Sequence, residues 1–93
     1  MKILVCCGNG VGSSFMIEMN VKKVLKELNV VAEVDHSDLS SANTMKSDIY
    51  IATRDISSQL ASLGGELISL NSMIDAKELK IKIEETLIKL GAL

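Results

Sequence analysis

An unbroken apolar run, Ile3-Leu4-Val5-Cys6-Cys7, stops abruptly at Gly8-Asn9-Gly10-Val11-Gly12-Ser13-Ser14. A short continuous apolar run fits a strand buried on both faces, as in a parallel sheet covered by helices. Three of the chain's six glycines follow it at once. Glycine tolerates positive φ and lets backbone N–H groups converge on one point. The chain therefore opens as strand, glycine turn, helix.

The same alternation continues. From Phe15 to Leu28, Ile17, Val21, Val24, Leu25 and Leu28 recur at helical spacing, with Glu18, Lys22, Lys23, Lys26 and Glu27 assigned to the solvent side. Asn29 is a helix stop. Val30 to Val34 reads as a second strand, because it is rich in β-branched residues. Ser37 to Lys46 holds several cap formers and reads as a short helix. Asp48 to Thr53 is a third strand, followed by a short polar segment. Gly64-Gly65 turns the chain into a fourth strand, Glu66 to Leu70. Asp75 and Glu78 form a capping-box-like pair at the start of a last helix. Its stripe of Leu79, Ile83, Leu87 and Leu90 ends at Gly91. The expected fold is α/β: a single-domain four-stranded parallel sheet, order 2-1-3-4, Rossmann-like, with helices on both faces. In such sheets the site lies beyond the carboxyl ends of the strands, where strand order reverses. Here that point is the end of strand 1, at Cys7.

Composition narrows the function. Ninety-three residues suit one small domain, read as spanning 1–93. Aromatics are 2%, too few for a surface that stacks single-stranded bases. A net charge of −2 without a basic cluster argues against nucleic-acid binding. No apolar run approaches a membrane span, so no direct membrane insertion is expected. Cys6 and Cys7 are neighbours, about 3.8 Å apart at Cα, below the usual disulfide range of roughly 4.4–6.8 Å. With no disulfide framework and no export signal, the expected compartment is the cytoplasm.

The turn carries the chemistry. Gly8, Asn9, Gly10, Val11, Gly12, Ser13 and Ser14 can place N–H groups and hydroxyls around an anion, and the following helix adds its positive end. Ser13 and Ser14 can cap that helix or donate hydroxyl hydrogen bonds. Cys7 stands at the corner. Such surroundings lower a thiol pKa from about 8.5 into a range of roughly 3.5–7.5. A thiolate beside a phosphate-sized nest is a nucleophile for phosphorus, with the nest stabilising the transition state. Cys6 alternates to the opposite side of the strand and reads as a small core residue.

Spacing tests the rivals. A Walker A loop needs a lysine that is absent between Lys2 and Lys22. A dinucleotide fingerprint starting at Gly8 and Gly10 meets Ser13 where the third glycine belongs. Two vicinal cysteines and one histidine do not make a zinc site, so no metal and no cofactor are expected. The low-molecular-weight tyrosine phosphatases use Cys-x5-Arg-Ser/Thr on a similar fold. This chain has Ser13 in place of the arginine that would clamp the phosphoryl group. It also lacks the proline of their Asp-Pro acid loop. A phosphocysteine without that help to hydrolysis suits a carrier. A small cysteine phosphatase and a non-catalytic anion-binding module are the alternatives.

With Lys-Ile-Leu-Val before it, Cys-Gly-Asn-Gly-x-Gly-Ser-Ser resembles the enzyme IIB components of the bacterial phosphoenolpyruvate-dependent sugar phosphotransferase system. The ascorbate-type branch is the nearer likeness and the galactitol type a looser one. The resemblance implies that Cys7 takes phosphate from a histidine of a IIA protein. It also implies transfer to a carbohydrate entering through a membrane IIC permease, which can recruit the chain to the membrane's inner face. Gly8 to Ser14 would be the cradle. Cys6 departs from the pattern by adding a second thiol.

Other residues are candidates for supporting or partner contacts. Thr53, Arg54 and Asp55 follow strand 3 at the same edge. Arg54 can approach the phosphate or a partner's acidic face, and Asp55 reads as a helix N-cap. Phe15, Met16 and Met19 begin the first helix and can form an adaptable apolar contact beside Cys7. His36 reads as ending strand 2; it is the only histidine and lacks a Gly-rich cradle and a placed partner.

Overall fold

A computed structural model describes residues 1–7, 11–38, 41–71 and 76–91, and within these the side chains of residues 7, 11–14, 43 and 55 are not described. The strands are β1 (Lys2–Cys7), β2 (Glu33–Asp38), β3 (Ile49–Thr53) and β4 (Glu66–Leu70). The helices are α1 (Val11–Glu27), α2 (Arg54–Ser57) and α3 (Ala76–Lys89), with 3-10 turns at Ala42–Thr44 and Ser58–Leu63. All pairings are parallel, in the order β2-β1-β3-β4.

Alternation along the central strands divides the core in two. Ile3 and Val5 of β1, with Ile49 and Ile51 of β3, face α1 and α3. There they meet Ile17, Val21, Leu79 and Ile83. Leu4, Cys6, Tyr50 and Ala52 face the other way, against Ala42, Ile56 and Leu60 from the shorter helical turns. Each face is thus covered, as right-handed crossovers of a parallel sheet require. Cys6 is buried opposite α1, as its parity predicts.

Several boundaries differ from expectation. α1 begins at Val11, four residues before Phe15, so Ser13 and Ser14 belong to its first turn and not to an N-cap. Its end is as expected: Asn29 has φ 58°, and Asn29 N and Val30 N donate to the carbonyls of Lys26 and Leu25 at 3.2 and 2.9 Å. These two bonds form a Schellman motif, with Val30 as the apolar residue that closes it. That use of Val30 delays β2 to Glu33, and the strand is the polar Glu-Val-Asp-His-Ser-Asp. As an edge strand β2 needs no apolar outer face, and charge there discourages pairing with other chains. The helix expected over Ser37 to Lys46 shrinks to Ala42–Thr44, since Ser37 and Asp38 belong to the sheet. The polar segment after β3 is helical, and its N-cap is Thr53, not Asp55, whose side chain is outside the description.

Gly64 ends the second 3-10 turn with φ 88°. Gly65 is needed for space. A Cβ there would lie 2.7 Å from the Tyr50 ring and 2.8 Å from the Ser47 carbonyl oxygen. In α3, Leu79, Ile83 and Leu87 are buried as expected. Leu90 lies past the helix and is exposed. Residue 75, half of the expected capping box, lies outside the described residues.

Candidate functional site at the carboxyl edge

β1 ends at Cys7, paired with Asp38, the last residue of β2. Val5 is paired with Ile51, so Cys7 and Thr53, each two residues further on, end their strands side by side. Thr53 in turn pairs with Leu70 at the end of β4. One edge therefore gathers Asp38, Cys7, Thr53 and Leu70 in a row. α1 starts four residues beyond Cys7. The first four N–H groups of an α-helix have no acceptor within it, so residues 11–14 offer theirs at this edge. Residues 8–10 and the side chains of Val11, Ser13 and Ser14 lie outside the description.

The remaining sequence candidates fall on two flanks. On the β2 flank, Phe15 and Met16 are exposed, as is Met19, each with about half its surface in solvent. Phe15 meets the His36 ring edge-on, with centroids 6.3 Å apart. His36 lies inside β2, not at its end, and it does have a placed partner. Its Nδ1 is 2.6 Å from Glu18 Oε2. Glu18, assigned to solvent from the sequence, has only 8% of its side chain exposed and also holds Lys22 at 3.4 Å. A buried carboxylate needs such partners. Glu18 is seven residues along α1 from Val11, about 10 Å at 1.5 Å per residue, so this pair ties helix to sheet well below the helix start.

On the β4 flank, Arg54 is exposed and donates from Nη1 to Asn71 Oδ1 at 3.2 Å. Asn71 is gripped by Glu78, whose two carboxylate oxygens accept from the Asn71 backbone N and Nδ2 at 2.8 and 2.6 Å. Lys82 Nζ lies 3.6 Å from the same carboxylate and also donates to the Ser69 carbonyl.

Sequence reasoning missed Asp38, Glu18, Asn71 and Glu78 as parts of these clusters. Asp38 left one signal: its Oδ1 accepts from Ser41 N at 2.9 Å, a turn pattern readable in Asp-x-x-Ser. The pairings of Glu18 with His36 and of Arg54 with Asn71 span 18 and 17 residues and leave no local trace.

The edge can be set beside known proteins. The family model described as the lactose/cellobiose-specific IIB subunit of the PTS system matches residues 2–85. The chain belongs to this PTS IIB family. It is a IIB component of a sugar phosphotransferase system, hence a phosphotransferase. The ascorbate-specific PTS system EIIB component of Mycoplasma pneumoniae (strain ATCC 29342 / M129 / Subtype 1) is 27% identical over 90 residues, 94% of this chain and 95% of that protein. In fold, the chain matches the lactose-specific IIB component domain of the Streptococcus pneumoniae phosphotransferase system. The TM-score is 0.68 at 16% identity, over 95% of both chains. A IIB component works with IIA and IIC partners and a sugar. Among the described residues, no helix is long and apolar enough to cross a membrane.

Proposed function

We propose that Cys7 is the residue of this IIB component that carries phosphate. Its placement supports the reading: it ends β1 at the edge where the first N–H groups of α1 are presented. Residues 8–14 then form the cradle. The Cys7 thiolate attacks a phosphohistidine of the IIA protein. The S–P bond forms as the N–P bond breaks, and the bonding pair stays with the imidazole. The ring leaves neutral because its other nitrogen already carries a proton. N–H groups at the helix start balance the charge on the phosphoryl oxygens. In the second step a carbohydrate hydroxyl attacks the phosphorus and the sulfur leaves as thiolate. The hydroxyl proton passes to solvent or to a base of the IIC permease.

The acceptor we favour is ascorbate or a related carbohydrate, in line with the Mycoplasma relative's name. The chain acts in the cytoplasm, at the inner face of the membrane when it meets IIC. Phe15, Met16 and Met19 supply an apolar surface beside the edge against which a partner can dock. Thr53 and Asp55 stand near the same rim.

The decisive experiment incubates the chain with phosphorylated IIA protein and measures intact mass. A gain of about 80 Da, the mass of one phosphoryl group, is expected. The Cys7→Ser variant should lose the acid-labile thiol-linked adduct. An unchanged adduct on that variant overturns the assignment. Sustained release of phosphate from an aryl phosphate would favour a phosphatase instead.

A further inference from the structure

Arg54 lies where two facts meet. It follows the end of β3, beside Cys7's strand, and its guanidinium is drawn the other way, toward the end of β4. An exposed arginine ordinarily samples many rotamers and loses that freedom on binding. Here a relay fixes it. A carboxylate can only accept hydrogen bonds, so the Asn71 group bonded to Glu78 Oε2 must be its NH₂. The Asn71 carbonyl oxygen is thereby turned outward, toward Arg54. Glu78 is held in its turn by Lys82.

The bond to Asn71 is the side-chain hydrogen bond Arg54 makes among the described residues, out of five N–H donors on a guanidinium. The remaining donors form a preorganised fork at the rim. Their position decides what they meet. Adjacent strands are about 4.8 Å apart, so a guanidinium reaching from the end of β3 to the Asn71 side chain past β4 lies one to two spacings, about 5–10 Å, across the sheet from the β1 line. The bond to Asn71 draws the fork away from a phosphoryl group on Cys7. The fork is within the footprint of any protein that must cover Cys7 to deliver phosphate.

We infer that Arg54, set in place by Asn71 and Glu78, is a docking contact for a surface carboxylate of the IIA phosphoryl donor, with Asn71 and Glu78 as its positioning residues. The inference rests on the carrier reading above, because that reading is what brings a donor protein to this edge. Carboxylate and guanidinium match bidentately. A rim charge of this kind acts on encounter and on salt dependence more than on chemistry.

The experiment measures phosphoryl transfer from phosphorylated IIA protein at several salt concentrations. It also measures binding of unphosphorylated IIA protein by calorimetry. Arg54→Gln is expected to raise KM and Kd about fivefold with kcat unchanged, and to flatten the salt dependence of kcat/KM. Arg54→Lys should recover part of the loss. Asn71→Ala should reproduce part of it and add nothing to Arg54→Gln. Lys46→Gln, which removes an exposed charge ahead of β3 at the opposite edge, should leave both constants alone. A purely structural role for the relay would leave the salt slope unmoved. Unchanged KM and Kd in Arg54→Gln overturn the inference. So does a fall in kcat at constant KM, or weakened binding of IIC protein alone. The calorimetry reads Arg54 even where no phosphate reaches Cys7, so failure of the carrier reading and failure of the docking contact give different results.

Discussion

The two flanks of the carboxyl edge handle charge in opposite ways. On the β2 flank, Glu18 and His36 turn inward, across the joint between α1 and the sheet, and leave an apolar surface of Phe15, Met16 and Met19 outside. On the β4 flank, a largely buried Glu78 holds the exposed Asn71, and the pair presents Arg54 at the surface. The first arrangement holds the fold and offers contact area. The second contributes little to the fold and offers a directed charge. The lesson is that hydrogen bonds of similar length can differ in kind according to what water already supplies to the partners.

The comparison can be broken most easily at His36. His36→Ala leaves the buried Glu18 carboxylate with Lys22 alone. We expect a loss of about 1–3 kcal/mol in unfolding free energy, read by urea denaturation at neutral pH. Replacing both residues by Leu should restore much of that loss, since the buried charge goes too. The β4 flank should respond less: Asn71→Ala is expected to cost under about 1 kcal/mol in the same measurement, despite two bonds to Glu78. Equal losses on the two flanks would erase the distinction. The smallest expected effect on stability is at Phe15. Phe15→Ser should leave stability within about 0.5 kcal/mol, because half the ring is already in solvent. It should still raise KM for the phosphoryl donor about threefold, in keeping with the loss of one aromatic contact.

Much of this architecture could be read from the residues. The apolar run of β1, the left-handed stop at Asn29, the turn at Gly64 and the stripe of Leu79, Ile83 and Leu87 each follow from local rules. So does the strand order, because alternating strands and helices leave few right-handed solutions. β2 was not legible. Its residues obey an edge strand's needs, and the β-branched Val30 and Val31 that imitate a strand serve the end of α1 and the connection after it. The start of α1 was obscured because Gly12, Ser13 and Ser14 are weak helix formers, yet the helix includes them. At the site, the position of Cys7 at the end of β1 followed from the apolar run that stops at Gly8. Glu18 with His36, and Arg54 with Asn71, were not, because residues 17 or 18 positions apart become neighbours only when the sheet assembles.

The pleat of β1 has one more consequence. Cys6 is 1% exposed, packed among Leu4, Tyr50 and Ala52. A water-soluble thiol reagent can reach it only when the surrounding core opens. Its rate of labelling therefore serves as an internal clock for opening of that face, built into the residue beside the proposed phosphate carrier.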